Sequence, residues 1–170
     1  MKLQITKYGH PVLETVAEPI TDFGPTLHKL VDDMFETMYS AKGVGLAAPQ
    51  VNVSRRLTVI DVSSGTRPED KLVLINPKII RLDGSQVGEE GCLSIPGFRE
   101  DVKRALTATV RAQNAKGEHF EITGEELLAR AMQHEIDHLN GVLFIQHLSL
   151  LKRDLIKRKV KKLQKAGEWT

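Results

Sequence analysis

Two histidines four residues apart, His134 and His138, enclose a glutamate, Glu135. On a helix they project from one face about one turn apart, so both rings can reach a single cation. The glutamate between them lies close enough to act on a bound water as general base, so the pattern points to metal-assisted hydrolysis. The plainer alternative is a surface helix whose histidines are incidental. Against it, Leu127, Ala131, His134 and His138 follow spacings of four, three and four, so the histidines extend an apolar face. Inward-facing histidines need a partner, and a metal supplies one.

Two helical histidines leave a zinc or iron site one protein ligand short. Proteases with this motif take a third ligand downstream, either a histidine six residues on or a distant glutamate. Here the sixth residue after His138 is Phe144, and the glutamate option reduces to Glu168 in a basic tail. His147 is nine residues on, where the chain leaves the helix. The better candidate is Cys92, in Glu90-Gly91-Cys92-Leu93-Ser94. A thiolate beside a divalent cation is deprotonated outright and binds strongly. Cys, His and His leave an open fourth position, as catalytic sites do. A third unusual segment runs from Gly43 to Gln50, as Gly-Val-Gly-Leu-Ala-Ala-Pro-Gln. Its glycines allow close backbone approach, and the Gln50 amide can donate to a developing oxyanion.

These residues need elements to hold them. Leu27, Leu30, Val31, Met34 and Met38 give a first helix one apolar face, with Pro25 at its start and Gly43 beyond its end. Strand-like runs follow at Leu57–Val62, Leu72–Ile75 and Ile79–Leu82, with a polar loop over Ser63–Asp70 and a polar turn over Leu82–Gln86. Alternation over Arg104–Gln113 puts Leu106, Ala108, Val110 and Ala112 on one face. A turn at Asn114–Gly117 and a return strand at His119–Ile122 complete a hairpin. The metal-binding helix starts at a capping box, Thr123 capping and Glu126 reaching back, and stops near Asn140 before Gly141. Ser149 opens a third helix to about Lys165, with Leu151, Leu155, Ile156, Val160 and Leu163 as its apolar stripe. Helices and antiparallel strands in irregular order predict an α+β fold: strands packed around a central metal-binding helix, with one helix before it and one after it.

The length of 170 residues suits one domain. The expected division is a catalytic domain over residues 1–148 and a basic helix over 149–170 packed on it. No apolar stretch approaches the roughly 20 residues of a membrane helix, and the first residues lack a secretory signal pattern. The single cysteine excludes an internal disulfide and suits a reducing cytoplasm. Net charge is only +2, too small for a general nucleic-acid binder, so DNA is not an expected partner. The charge is uneven, with eight Lys/Arg against two acids from Lys152 onward. That segment reads either as a solvated amphipathic helix or as a contact for phosphate.

Taken together and in order, Gly43–Gln50, Glu90–Ser94 and Gln133-His134-Glu135-Ile136-Asp137-His138 resemble the three motifs of the peptide deformylases, in their short bacterial form with a helical C-terminus. The resemblance implies removal of the formyl group from the initiator N-formylmethionine of nascent polypeptides, with release of formate. It implies Fe(II) as the working metal, with zinc, nickel or cobalt able to occupy the site. Cys92, His134 and His138 would hold the metal, and Glu135 would move the proton. The Gln50 amide and the Leu93 backbone N–H would stabilise the oxyanion. The peptide would lie as an added strand against Val44, Gly45 and Gly91, its methionine side chain near Val44, Leu127, Ala131 and His134. Arg130 would line the pocket rim by its stem, its charge staying in water. Glu90 and Arg104 match an ion pair bracing the cysteine segment, and the basic helix would contact ribosomal phosphate. The alternatives are a zinc peptidase of the HExxH type and a structural metal module docking on ribosomal RNA.

Overall fold

A computed structural model describes residues 1–169. Among them three helices and seven strands are ordered as α1 (Pro25–Ser40), β1 (Gly45–Ala47), β2 (Leu57–Ile60), β3 (Leu72–Asp83), β4 (Gln86–Cys92), β5 (Ile95–Arg104), β6 (Thr107–Gln113), β7 (His119–Glu125), α2 (Glu126–Leu139) and α3 (Leu150–Lys165). Five strands form an antiparallel sheet in the order β1-β2-β3-β6-β7, and β4 and β5 form a separate hairpin. The expected α+β arrangement is the observed one.

Helix α2 is the centre of the molecule. Ala129, Met132 and Ile136, spaced by three and four, pack on the sheet against Ile60, Leu74, Ala108, Val110 and Ala112. Every residue from Ala129 to Ile136 is buried, as expected of a helix covered on all sides. Helix α1 buries Leu27, Val31, Met34 and Met38 against Leu46, Leu57 and Val59. Helix α3 sets Ile156 and Val160 against Ile95, Val102, Phe144 and Leu13, so it closes on the β4–β5 hairpin. Its Ser149 caps as expected, accepting from the Lys152 backbone N–H. Leu151 and Leu155 do not join the core; they are 71% and 45% exposed. No helix of the described residues is long and apolar enough to cross a membrane.

Three local expectations are corrected. Leu72–Ile75 and Ile79–Leu82 belong to one strand, β3, whose register shifts around Asn76, held at φ +51°. The capping box does not form, because the β6–β7 ladder continues to Glu125 and the Thr123 hydroxyl bonds that of Thr109 across the strands at 2.8 Å. Gly124 is required there, since a Cβ would lie 2.6 Å from Leu128 Cγ. Finally, Gln86–Arg104 is a long hairpin, where only a polar turn and a short glycine-containing segment are expected; Arg104 ends β5, and Leu106 sits half-exposed between β5 and β6.

Candidate active site

The alternation of β4 sets up the site. Gln86, Gly88 and Glu90 turn toward α2, while Val87 and Glu89 face solvent, and Cys92 continues the inward set to the tip of the hairpin. Helix α2 presents His134 and His138 to this strand, one turn apart. The ligand atoms of Cys92, His134 and His138 lie within 4.8 Å of one another. Cys92 Sγ is 3.4 Å from His138 Nε2 and 3.4 Å from the Gln50 amide nitrogen.

The His134 ring is fixed from behind. Its Nδ1 donates to Glu90 Oε1 at 2.8 Å, which leaves Nε2 for the front of the site. Glu90 is itself buried and chelated by Arg104, Nε to Oε2 at 2.8 Å and Nη2 to Oε1 at 2.9 Å. Burial alone would raise the Glu90 carboxyl; the bonds from Arg104 and His134 outweigh it and hold the group well below the usual carboxylate range. Arg104 continues to Asp137 at 2.7 Å, and Asp137 takes His147 Nε2 at 2.8 Å. Asp137 and His147 thus serve the support of the site and not its front. Phe144 stacks on the His134 ring and supplies packing in place of a ligand.

Glu135 faces the cleft with Oε1 buried and unpartnered. Burial pushes its carboxyl up to about 7, a value suited to taking and returning a proton. Burial, and then His134, push His138 down, so its ring is neutral, as metal ligation needs. Burial also opposes charge on His134, but Glu135, Cys92 and Glu90 around it prevail and push it up. One sulfur and two imidazoles converging within 4.8 Å make a donor set suited to a divalent cation.

A cleft of about 500 Å³ opens in front of these groups. Val44, Gly45, Gln50, Gly91, Cys92, Leu93, Leu127, Arg130, Ala131, His134 and Glu135 all line it; His138 lies behind the front, 1% exposed. Gly45 lies against Glu135, where a Cβ would stand 2.5 Å from Oε2. Gln50 is 1% exposed, its Oε1 accepting from the Ala47 N–H at 2.9 Å and its amide nitrogen donating to Ser94 Oγ at 3.2 Å. Leu127, at 49% exposure, is a rim residue. Arg130 departs from expectation: its charge is not in water but buried, with Nη1 2.5 Å from Glu90 Oε2. A buried partner of opposite charge explains why the guanidinium does not reach for solvent.

Sequence reasoning missed several participants. Phe98 and Arg99 of β5 also line the cleft, on a strand with no apolar alternation to announce it. Ser94 and Gln133 hold the frame, Gln133 bonding both the N–H and the carbonyl of Ala105. Both stand inside motifs already singled out, beside Cys92 and His134, and that adjacency was the available signal.

The polypeptide deformylase family model matches residues 2–154. A peptide deformylase of Acidobacterium capsulatum is 62% identical over 165 residues, covering 97% of each chain. The crystal structure of a peptide deformylase from Legionella pneumophila superposes with a TM-score of 0.92 at 45% identity, covering 100% of this chain and 99% of that one. The peptide deformylase of Thermus thermophilus gives 0.85 at 42% identity, covering 94% and 93%. Agreement over nearly the whole length of each, in sequence and in fold, establishes that the chain belongs to the polypeptide deformylase family.

Proposed function

We propose that Cys92, His134 and His138 hold the divalent metal of this metal-dependent family, and that Glu135, Gln50 and the Leu93 N–H carry out, around it, removal of the formyl group from N-formylmethionyl peptides. The observation that carries the reading is the convergence of the three ligand atoms within 4.8 Å, directly in front of a buried carboxyl. A bound ion supplies Lewis acidity and an activated water as nucleophile. Glu135 accepts the proton of the attacking water and returns it to the departing amine. The Gln50 amide, pre-oriented by Ala47 and Ser94, donates to the oxyanion that develops as the formyl carbon becomes tetrahedral. Among the described residues strand β1 pairs only with β2, so its other edge suits an extended peptide lying along Val44 and Gly45 with Gly91 opposite. The methionine side chain fits between Val44, Leu127, Ala131 and His134.

Fe(II) is the proposed working ion, with zinc, nickel or cobalt as occupants, and the cytoplasm is the proposed compartment. The basic face of α3 supports contact with ribosomal phosphate, where the substrate emerges. The test of the core reading is Glu135→Ala, assayed by formate release from formyl-Met-Ala-Ser. Turnover should fall by about 10²–10⁴-fold, with metal content unchanged. Near-full activity would overturn the role of Glu135, and loss of the metal would move Glu135 into the ligand set. Cys92→Ser should weaken metal binding instead.

A further inference from the structure

We propose that Arg130 is a positioning residue of the metal centre: it is the second of two guanidiniums that lock Glu90, and Glu90 in turn fixes the His134 ring. The inference rests on the proposed ligand set and asks what holds that set in place. A carboxylate offers about four acceptor positions on its two oxygens. In Glu90 all four are taken. Oε1 accepts from Arg104 Nη2 at 2.9 Å and His134 Nδ1 at 2.8 Å; Oε2 accepts from Arg104 Nε at 2.8 Å and Arg130 Nη1 at 2.5 Å.

The placement follows from two periodicities. Arg130 and His134 stand four apart on α2, so they meet the same inward-facing residue of β4. Arg130 then spans the hairpin, with Nη1 also donating to the Val102 carbonyl of β5 at 3.0 Å and Nη2 reaching Gln86 Oε1 at 3.4 Å. Gly88 makes room for it. It pairs with Val102, and a Cβ at Gly88 would stand 3.0 Å from Nη2 and 3.3 Å from Cζ of Arg130. The guanidinium therefore lies flat on a strand that lacks a side chain at that point.

Without Arg130, one acceptor site of a buried carboxylate goes unfilled. Glu90 is then held from one side by Arg104 and is free to tip, taking Oε1 off the His134 ring. His138 has no comparable brace among the described residues, its Nδ1 being buried without a partner there. The geometry of the ligand set thus depends on the Glu90 side. Lysine is a poor substitute, since a point charge cannot make the fork to Glu90, Val102 and Gln86 together.

The test uses the full chain loaded with Co(II), whose visible absorption reports ligand geometry, and follows its release to a chelator. Arg130→Met should alter the spectrum and speed release by about 10–100-fold, the usual effect of losing a residue that orients a ligand. Arg130→Lys should recover only part of the difference. Gly88→Ala, which keeps both charges but displaces the guanidinium, should shift release in the same direction; if Arg130→Met does not fold, this variant decides alone. A lower melting temperature with spectrum and release rate equal to the parent protein would overturn the proposal and leave Arg130 a structural residue. A parent protein that takes up no cobalt would overturn the ligand set itself.

Discussion

Replacing Gly45 by alanine should damage catalysis while leaving the fold intact. Gly45 does not have a left-handed backbone conformation, so alanine meets no strain of its own there. What the new methyl group meets is Glu135, with Oε2 at 2.5 Å, Cδ at 2.9 Å and Cγ at 3.0 Å. Optimal separation for such atoms is about 3.5 Å, so the carboxyl must retreat by about 1 Å. A misplacement of that size typically costs on the order of 10²-fold in rate. The assay is formate release from formyl-Met-Ala-Ser, with kcat and KM separated and metal content and melting temperature measured alongside. The expected result is a kcat lowered by about two orders of magnitude, with metal content unchanged. An unaltered kcat would refute the reasoning, because it would mean that the position of Glu135 in front of the ligand set does not govern turnover.

Gln50→Ala should lower kcat by roughly 10²–10³-fold with a smaller effect on KM; a raised KM at unchanged kcat would make Gln50 a binding residue only. Arg104→Met leaves Glu90 buried with one of its two cations gone and should cost about 3 kcal/mol in urea unfolding. Because the Glu90 carboxyl is held low in the folded chain, its contribution to stability is present above the usual carboxylate value and is lost as pH falls through the folded one. The parent protein should therefore lose urea stability on acidification below about pH 5, and the Arg104→Met variant should lose less; equal slopes would contradict the assignment. Reversing Lys157, Lys161, Lys162 and Lys165, all exposed on α3, to glutamate should spare activity on a short peptide and reduce salt-sensitive co-sedimentation with ribosomes. Unchanged co-sedimentation would leave α3 a purely structural helix.

The elements that announced themselves in the sequence are those with a one-sided apolar pattern. Helix α1, the turn of the β6–β7 hairpin and the Ser149 start of α3 fall where their stripe, turn and cap residues put them, while the outer ends of β6 and β7 do not. The β4–β5 hairpin did not, because the inward face of β4 carries Gln86, Gly88, Glu90 and Cys92, which give no apolar alternation. The same polarity hid Arg130. An arginine beside an apolar helical face reads as a stem with a wet head, and only the tertiary fold brings Glu90 against it. The cysteine, the two histidines and Glu135 were legible as chemistry because their types and spacings are unusual; of the frame behind them only the Glu90–Arg104 pair was, through the family resemblance, since Asp137, His147 and Gln133 are individually ordinary polar residues.

Among the described residues the hairpin has no hydrogen-bonded ladder to the five-stranded sheet, and its tip carries Cys92, while His138 lies 46 residues further along the chain. An ion held by both would tie these two points of the chain together, in a protein whose single cysteine can form no internal disulfide. By the chain-entropy argument used for disulfides, closing a loop of that length removes about 4 kcal/mol of freedom from the unfolded chain, less whatever ligation survives there. Such an ion would be a clasp as well as a reagent. Part of its affinity would be folding free energy, and the hairpin that the sheet leaves unpaired would be the piece it fastens.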